Sequence, residues 1–186
     1  MMLISEDADK QHQTQAPSVT PPFRDRIKAN FDTSIREFVG TGLGVIFKNH
    51  FGNSMAAGAH FIPSSFEPTI AEAMAFRWCI SMARDLGFQE VEFEIDCLNL
   101  FQAWKRNDPF SNYLDSIVQD CKSLSLAFRS CVLLNCRKTA NAVADHIAHL
   151  AFDYQDHVWV ELDPPGTTNL LRQEALFYTG NEVSTF

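Results

Sequence analysis

The sequence predicts an α/β domain, and three observations support that prediction. Residues 89–97, QEVEFEIDC, alternate apolar and acidic side chains with the period of two that is typical of a strand. Apolar residues recur at three- and four-residue intervals on both sides of this stretch, which indicates amphipathic helices. A continuous apolar run at residues 131–134 is typical of a buried parallel strand.

Three strands are expected before the first helix. Residues 27–32 alternate apolar and polar side chains, and residues 43–49 and about 54–62 form two further strands around a turn that contains Gly52. We interpret the three as an antiparallel meander. The glycines at positions 40, 42 and 44 could suggest a phosphate loop, but they run directly into a β-rich segment, so close approach of strands is the preferred interpretation.

The remaining elements alternate helix and strand. A helix begins at Pro68 and ends at Gly87, and the 89–97 strand follows it. Two shorter helices are expected at about 98–106 and from Ser111 onward, then the apolar strand, then a last helix capped by Asn141. The predicted order is therefore three strands, helix, strand, two helices, strand, helix.

Length and composition indicate one domain with flanking segments. The chain has 186 residues, and no apolar run approaches the ~20 residues that span a bilayer, so we expect a soluble protein without a membrane partner. Residues 1–24 are Gln/Thr/Pro-rich and are predicted to be a disordered leader. The domain is expected at residues 25–156 and a C-terminal tail at residues 157–186.

Charge and cysteine usage narrow the function classes. The net charge of -8 argues against broad electrostatic capture of nucleic acid, unless metal ions supply positive charge locally. The five cysteines are odd in number and include no C-x-x-C pair, which favours buried thiols in a reducing compartment. No secretory signal pattern precedes the domain, so a cytoplasmic or nuclear location is expected.

Four acidic residues stand at notable places in this element order. Asp32 ends the first strand, Glu72 lies in the first turn of the first helix, Asp96 ends the fourth strand and Asp145 lies about one turn into the last helix. Each has an ordinary alternative: Asp96 could cap a helix, and Glu72 and Asp145 could stabilise helix dipoles. A metal site at His146 and His149 is disfavoured, because the pair lacks partners on the same face.

Taken in order and spacing, several segments carry a family resemblance. They are IKANFD at 27–32, TGLGVIFKNHFGN at 41–53, PTIAEAMA at 68–75, LGFQEVEFEID at 86–96, NAVADHIAHLA at 141–151 and a Trp-then-Pro ending at 159–165. With these segments the sequence resembles the type 1 ribonuclease H family, and in detail its plant retroelement-derived domains. The resemblance implies a ribonuclease H-like fold, with a five-stranded mixed sheet of order 3-2-1-4-5 flanked by helices.

The same resemblance implies an activity and a site. It implies a monomeric endonuclease that hydrolyses the RNA strand of RNA/DNA hybrids with two Mg²⁺ or Mn²⁺ ions. The ions would be held by Asp32, Glu72, Asp96 and Asp145, with Asp32 bridging both. This is physically reasonable, because converging carboxylates repel each other until cations neutralise them, and oxygen ligands suit Mg²⁺ or Mn²⁺ better than zinc. Expected substrate contacts are Asn135, Arg137, Lys138 and Asn141. The basic residues Lys105, Arg106, Arg137 and Lys138 are candidates for phosphate contact, and each could equally be an ordinary solvated base.

The sequence also departs from the family pattern. Asn135 stands where the family has a histidine thought to assist proton transfer, and an amide does not titrate near neutral pH. Lys138 replaces an arginine, Thr33-Ser34 replaces a Gly-Ala or Gly-Ser pair, and the connection at 107–110 is too short for a basic substrate handle. The alternative function is therefore a catalytically weak or inactive domain that binds nucleic acid or a protein.

Overall fold

The computed structural model describes residues 21–23, 25–107 and 111–180, with side chains up to Tyr178. Six strands and five helices follow one another in these bounds: β1 (Ile27–Arg36), β2 (Gly40–Lys48), β3 (Ser54–Ile62), α1 (Pro68–Asp85), β4 (Glu90–Ile95), α2 (Leu98–Lys105), α3 (Tyr113–Ser125), β5 (Ser130–Asn135), α4 (Ala142–Tyr154), β6 (His157–Val160) and α5 (Thr168–Gly180). A 3-10 turn, Lys138–Asn141, leads into α4. Most of the leader expected at residues 1–24 and most of the 107–110 connection lie outside the described residues; the exceptions in the leader are residues 21–23, where the Phe23 backbone N–H donates to Glu92 Oε1.

The strands form one mixed sheet in the order β5-β4-β1-β2-β3-β6. The β1, β2 and β3 strands form the expected antiparallel meander, and β4 is parallel to both β1 and β5. The expectation of five strands is wrong. A sixth strand, β6, pairs antiparallel with β3, so the full order differs from 3-2-1-4-5 by this strand at the β3 edge.

The sixth strand and the last helix fall within residues 157–186, the stretch expected to be a tail. Trp159 of β6 is buried against α4, while its neighbours Val158 and Val160 are exposed. Helix α5 is joined to the sheet by a buried ion pair between Lys48 of β2 and Glu174. Residues 157–178 therefore contribute side chains to the packed structure.

The first strand is longer than its sequence pattern indicated. It continues past Asp32 to Arg36, because residues 33–36 pair with β2 over the whole meander. Its pairing with β4 stops earlier, at Asn30 opposite Glu94. Asp32 therefore does not end the strand, but it lies just beyond the point where β1 and β4 separate.

Two apolar layers cover the two faces of the sheet. On one face α1, α2 and α3 pack against β1, β2 and β4, and the rings of Phe31 and Phe76 stack with centroids 4.9 Å apart. On the other face α4 and α5 pack against β2, β3 and β6 around Ile46 and Ile147. Each buried aromatic ring in such a layer contributes about 3–5 kcal/mol relative to alanine.

Glycines in β2 let α4 approach the sheet closely. A Cβ atom at Gly44 would lie 2.3 Å from the backbone nitrogen of Ala148, and one at Gly42 would lie 2.2 Å from the Ala148 carbonyl oxygen. Gly42 and Gly44 therefore allow close packing of a helix on the sheet, whereas the sequence suggested close approach of strands. Because α4 crosses β2 beside Gly44, the residue paired with Asp32, its first turn lies near the middle of β1.

The described part of the chain has no helix of the length and hydropathy needed to cross a membrane.

Candidate metal centre

Three acidic residues from different elements meet at one edge of the sheet. Asp32 comes from β1, Glu72 from α1 and Asp96 from the residue after β4, and one carboxylate oxygen of each lies within 4.8 Å of the other two. Asp32 and Glu72 are buried, and Asp96 is partly exposed. Three of the four acids expected from the sequence are therefore brought together.

Strand geometry accounts for two of these positions. Strands β1 and β4 are parallel, so the segments that follow their paired region lie side by side at the same edge. Asp32 and Asp96 both come two residues after the last paired position, Asn30 opposite Glu94. Their juxtaposition is a consequence of the register of the two strands.

Helix α1 supplies the third carboxylate. Glu67 caps this helix, its side chain accepting a hydrogen bond from the Ile70 backbone nitrogen at 3.1 Å. Glu72 lies beyond the first turn, contrary to the expected position, and only 8% of it is exposed. Its side chain faces the sheet instead of the helix terminus, so stabilisation of the helix dipole does not explain its location.

The residue after Asp32 contacts two of the three carboxylates. The Thr33 backbone N–H donates a hydrogen bond to Asp32 Oδ1 at 2.7 Å, and the Thr33 hydroxyl donates to Glu72 Oε1 at 2.7 Å. The second oxygens, Asp32 Oδ2 and Glu72 Oε2, are buried and have no donor partner within the described ranges. In the sequence, Thr33 was notable only as a departure from the family pattern. Its position next to Asp32 was the one feature that could have predicted a contact with the carboxylates.

Burial and mutual repulsion change the acidity of the cluster. Burial, together with the neighbouring charges of Asp96 and Asp145, raises the pKa of Asp32 to about 7. Burial and the charge of Asp32 also raise the pKa of Glu72. For Asp96 burial raises the pKa, while the positive charge of Lys138 and a hydrogen bond with Asn141 oppose the change. The site therefore disfavours full ionisation unless another positive charge is present.

The fourth expected acid lies outside this three-residue group. Asp145 is in the first turn of α4, 45% of its side chain is exposed, and its Oδ1 is 3.8 Å from His149 Nδ1. Its charge still acts on both Asp32 and Asp96. Dipole stabilisation of α4 and participation in the site are both compatible with this position.

The residues expected to contact substrate differ in their exposure to solvent. Arg137 and Lys138 are exposed beside the site, whereas only 1% of Asn141 is exposed. Asn141 stands at the start of α4 but does not cap it with its side chain, contrary to the expectation; its Nδ2 instead donates to the Phe31 carbonyl oxygen at 2.9 Å. The exposed Asn135 donates from Nδ2 to the Ile95 carbonyl oxygen at 3.2 Å. Contact of any of these side chains with a substrate stays a prediction.

The other basic and histidine candidates have partners within the protein. Arg106 forms an ion pair with Asp115 at 3.1 Å, and the Lys105 ammonium lies 4.3 Å from the Phe101 ring centroid. His146 Nε2 lies 2.9 Å from the Pro165 carbonyl oxygen, and His149 Nδ1 lies 2.8 Å from the carbonyl oxygen of Asp145. These contacts involve one ring nitrogen of each histidine, and the interpretation of the two histidines as non-metal residues stays a prediction.

The carboxylate cluster fits a hard divalent cation. All its candidate ligand atoms are carboxylate oxygens, which Mg²⁺ and Mn²⁺ prefer. Asp32 Oδ2 and Glu72 Oε2 are buried without a donor among the described residues, and a proton or a cation is what such acceptors would need. The donor set and the unpartnered oxygens are both those of a cation site.

Comparison with models of known protein families identifies the family of this chain. A model of the reverse transcriptase-like family matches residues 30–151, which include β1 to α4 and all four acids. The chain belongs to the reverse transcriptase-like family. No curated protein sequence matches it significantly.

Solved structures similar to this family member include ribonucleases H. RNase H1 from the halophilic archaeon Halobacterium salinarum NRC-1 matches with a TM-score of 0.59 and 26% identity, over 69% of this chain and 98% of that one. The N-terminal RNase H domain of a Mycobacterium tuberculosis protein matches with a TM-score of 0.60 and 20% identity, over 69% and 94% of the two chains. The expected ribonuclease H-like fold is thereby confirmed.

A third similar structure was solved with nucleic acid. LC11-RNase H1 in complex with an RNA/DNA hybrid matches with a TM-score of 0.60 and 19% identity, over 68% of this chain and 96% of that one. At this identity the match shows the fold alone.

Proposed function

We propose that this protein is a metal-dependent endoribonuclease that hydrolyses the RNA strand of RNA/DNA hybrids. The observation that carries the proposal is the buried cluster of Asp32, Glu72 and Asp96, with a free acceptor oxygen on each of the first two. Raised pKa values in such a cluster are typical of functional sites, because a stable fold has no need to gather like charges.

Asp32, Glu72 and Asp96 would hold the first Mg²⁺ or Mn²⁺ ion, and Asp145 with Asp32 would hold the second. Bound ions supply Lewis acidity and positive charge that activate a water molecule and neutralise the leaving 3′-oxygen of a phosphodiester. The half-exposed position of Asp145 supports this division, since a second ion nearer to solvent would need a ligand at the rim of the site. A net charge of -8 does not oppose the activity, because the ions would provide the local positive charge.

The surrounding side chains suit a phosphate backbone. Lys138 is exposed, and its positive charge opposes the rise in the pKa of Asp96, so its ammonium group would lie beside the proposed scissile phosphate. A cleft of about 360 Å³ also opens near the N-terminus of α1; its lining combines the neutral polar residues Thr69, Asn99 and Gln102 with the charged residues Glu67 and Arg106. Neutral hydrogen-bonding groups of this kind can follow a sugar-phosphate strand without a strongly basic surface.

Preference for a hybrid is the finer part of the proposal. The fold is shared with LC11-RNase H1, whose structure contains an RNA/DNA hybrid. Ribonucleotides carry a 2′-hydroxyl, which is the group that distinguishes an RNA strand from DNA. The test is cleavage of end-labelled RNA/DNA hybrid, duplex DNA and duplex RNA by the purified full chain, in Mg²⁺ and separately in Mn²⁺. Cutting of the RNA strand of the hybrid alone is expected, and cutting of duplex DNA would contradict the proposal.

A second candidate function is a catalytically weak domain that binds nucleic acid or a protein. The observation that favours it is Asn135, whose amide is bonded to the Ile95 carbonyl and offers no group that titrates near neutral pH. Retained hybrid binding, measured by fluorescence anisotropy, without cutting in either metal would support this candidate.

Three further properties belong to the same proposal. A retroelement-derived origin is in keeping with the match to a reverse transcriptase-like family, and the plant source rests on the sequence resemblance alone. A cytoplasmic or nuclear location is supported by the five free cysteines and can be tested with a fluorescent fusion. A monomeric state can be tested by light scattering coupled to size-exclusion chromatography.

A further inference from the structure

Thr33 binds one oxygen of each of two neighbouring carboxylates. Its backbone N–H donates to Asp32 Oδ1 and its hydroxyl donates to Glu72 Oε1, both at 2.7 Å. Asp32 and Glu72 come from a strand and a helix that are 40 positions apart in the sequence, so Thr33 is a direct link between the two halves of the cluster.

The two hydrogen bonds leave a matched pair of oxygens for a ligand. Asp32 Oδ2 and Glu72 Oε2 are buried and lack a donor partner in the part of the chain that the structure describes. Since Oδ1 and Oε1 each accept a hydrogen bond from Thr33, Oδ2 and Oε2 are the oxygens that remain without a partner. Two-oxygen coordination by Glu72 would have to share Oε1 between the ion and the Thr33 hydroxyl, or turn the carboxylate away from that bond.

The orientation of the Thr33 hydroxyl is well determined. Threonine is β-branched, so few χ1 rotamers are available to it in a strand. The Thr33 backbone is held by pairing with Leu43 of β2, and its side chain is partly buried. The hydroxyl therefore stays directed toward α1 without a large loss of entropy on metal binding.

We propose that Thr33 is a positioning residue that keeps Glu72 a one-oxygen ligand and so makes the site select Mg²⁺ and Mn²⁺ over Ca²⁺. This inference rests on the metal site of the proposed function. Mg²⁺ takes six ligands at short distances, whereas Ca²⁺ takes six to eight and commonly binds both oxygens of a carboxylate. A glutamate restrained to one oxygen thus suits the smaller ion and withholds a ligand from the larger one.

The experiment measures metal binding in the absence of nucleic acid. Mn²⁺ binding to the full chain is followed by loss of the electron paramagnetic resonance signal of the free ion, and Mg²⁺ and Ca²⁺ are added as competitors. Thr33→Val keeps the shape of the side chain but removes the hydroxyl, and we expect Mn²⁺ affinity to fall by roughly tenfold, the size of one hydrogen bond to a charged group. The ratio of Ca²⁺ to Mg²⁺ affinity should rise in the same variant.

Two variants separate this role from a general effect on the fold. Thr33→Ser retains the hydroxyl and should restore both the affinity and the selectivity. Thr41→Val is the matched control, because it removes another threonine hydroxyl, one that donates to the Ser64 carbonyl oxygen at 2.8 Å away from the cluster. It should leave Mn²⁺ binding unchanged. Thr33→Ala provides a second hydroxyl-free variant if Thr33→Val folds poorly by circular dichroism.

The possible outcomes distinguish this inference from the proposed function. Unchanged Mn²⁺ affinity and unchanged selectivity in a folded Thr33→Val protein would overturn the inference, even if the wild type cuts hybrids. A Thr33→Ser protein that behaves like Thr33→Val would also overturn it. Wild-type Mn²⁺ binding that depends on Thr33, in a protein that cuts no hybrid, would support the inference while contradicting the nuclease. Absence of Mn²⁺ binding by the wild type would overturn the inference directly.

Discussion

Asn141 Nδ2 donates a hydrogen bond to the carbonyl oxygen of Phe31 at 2.9 Å, joining the start of α4 to the residue before Asp32. The same side chain also bonds the Asp96 carboxylate. One buried amide therefore connects β1, the end of β4 and α4, the three elements that carry Asp32, Asp96 and Asp145. This contact explains why an asparagine stands at the start of α4 without capping it.

Replacement of this amide should destabilise the fold. Asn141→Ala would leave the Phe31 carbonyl oxygen without its bond, and an unsatisfied buried polar group costs about 1–3 kcal/mol. Urea unfolding followed by circular dichroism should show a decrease of this size in the free energy of unfolding. An unchanged midpoint would show that the contact contributes nothing to stability.

The metal-free protein should lose stability as the pH rises toward neutral. The folded state raises the pKa of Asp32 from 3.8 to about 7, so between these values the folded protein retains a proton that the unfolded chain has released. The free energy of unfolding then decreases with increasing pH across this window. Thermal unfolding in a chelator, compared with Asp32→Asn, isolates the contribution, because asparagine has no proton to lose.

The stabilities of the wild type and of Asp32→Asn should depend differently on pH. The wild type should become less stable relative to Asp32→Asn from about pH 4 to about pH 7, and added Mg²⁺ should reverse the loss near neutral pH. A stability difference between the two proteins that does not vary with pH would contradict the raised pKa.

The buried ion pair under α5 should be essential for stability. Lys48 and Glu174 are both almost fully buried, so Glu174→Ala would leave the Lys48 ammonium unpaired at a cost of about 3–5 kcal/mol. The double variant Lys48→Met with Glu174→Leu should recover most of this loss, since apolar side chains of similar size need no partner. A Glu174→Ala protein as stable as the wild type would show that α5 does not form part of the folded domain.

Restoration of a histidine should increase the rate of the proposed reaction. Asn135→His would place a group that titrates near neutral pH at the end of β5, and positioned acid–base groups contribute about 100-fold or more. We expect a smaller gain of about tenfold in kcat, because no other residue has been adapted to the imidazole. Leu134→His, on the neighbouring half-exposed position, is the control and should leave kcat unchanged. Equal rates for both variants would contradict the role assigned to position 135.

Local patterns were sufficient to predict the strands around the site. The alternation in β4 and the apolar run in β5 identify those strands, whereas the sheet order that brings Asp32 and Asp96 together was implied by the resemblance to the ribonuclease H family. Glu72 was expected in the first turn of α1, and it lies on that helix but beyond the first turn. The strands and the helix depend on sequence periods, which are independent of distant parts of the chain.

Features that depend on distant contacts were not predictable in the same way. Strand β6 has only four residues, and its pairing with β3 comes from a segment about 100 positions earlier. The bond from Thr33 to Glu72 depends on the rotamers of both side chains, which no sequence period encodes. The full length of β1 depends on its pairing with β2. The alternation of apolar and polar residues ends at Asp32, so the sequence pattern placed the end of this strand too early.

Hybrid cleavage by Asp96→Asn beside the wild type tests the central claim most directly. Asp96 is partly exposed among like charges, so its neutralisation should cost little stability without metal, while removing a ligand from the cluster. Asp153→Asn is the matched control, an exposed acid on α4 with the same change in charge. We predict that the wild type and Asp153→Asn cut the RNA strand in Mg²⁺ or Mn²⁺ and that folded Asp96→Asn does not. Cutting by Asp96→Asn at the wild-type rate would contradict the assignment of this site.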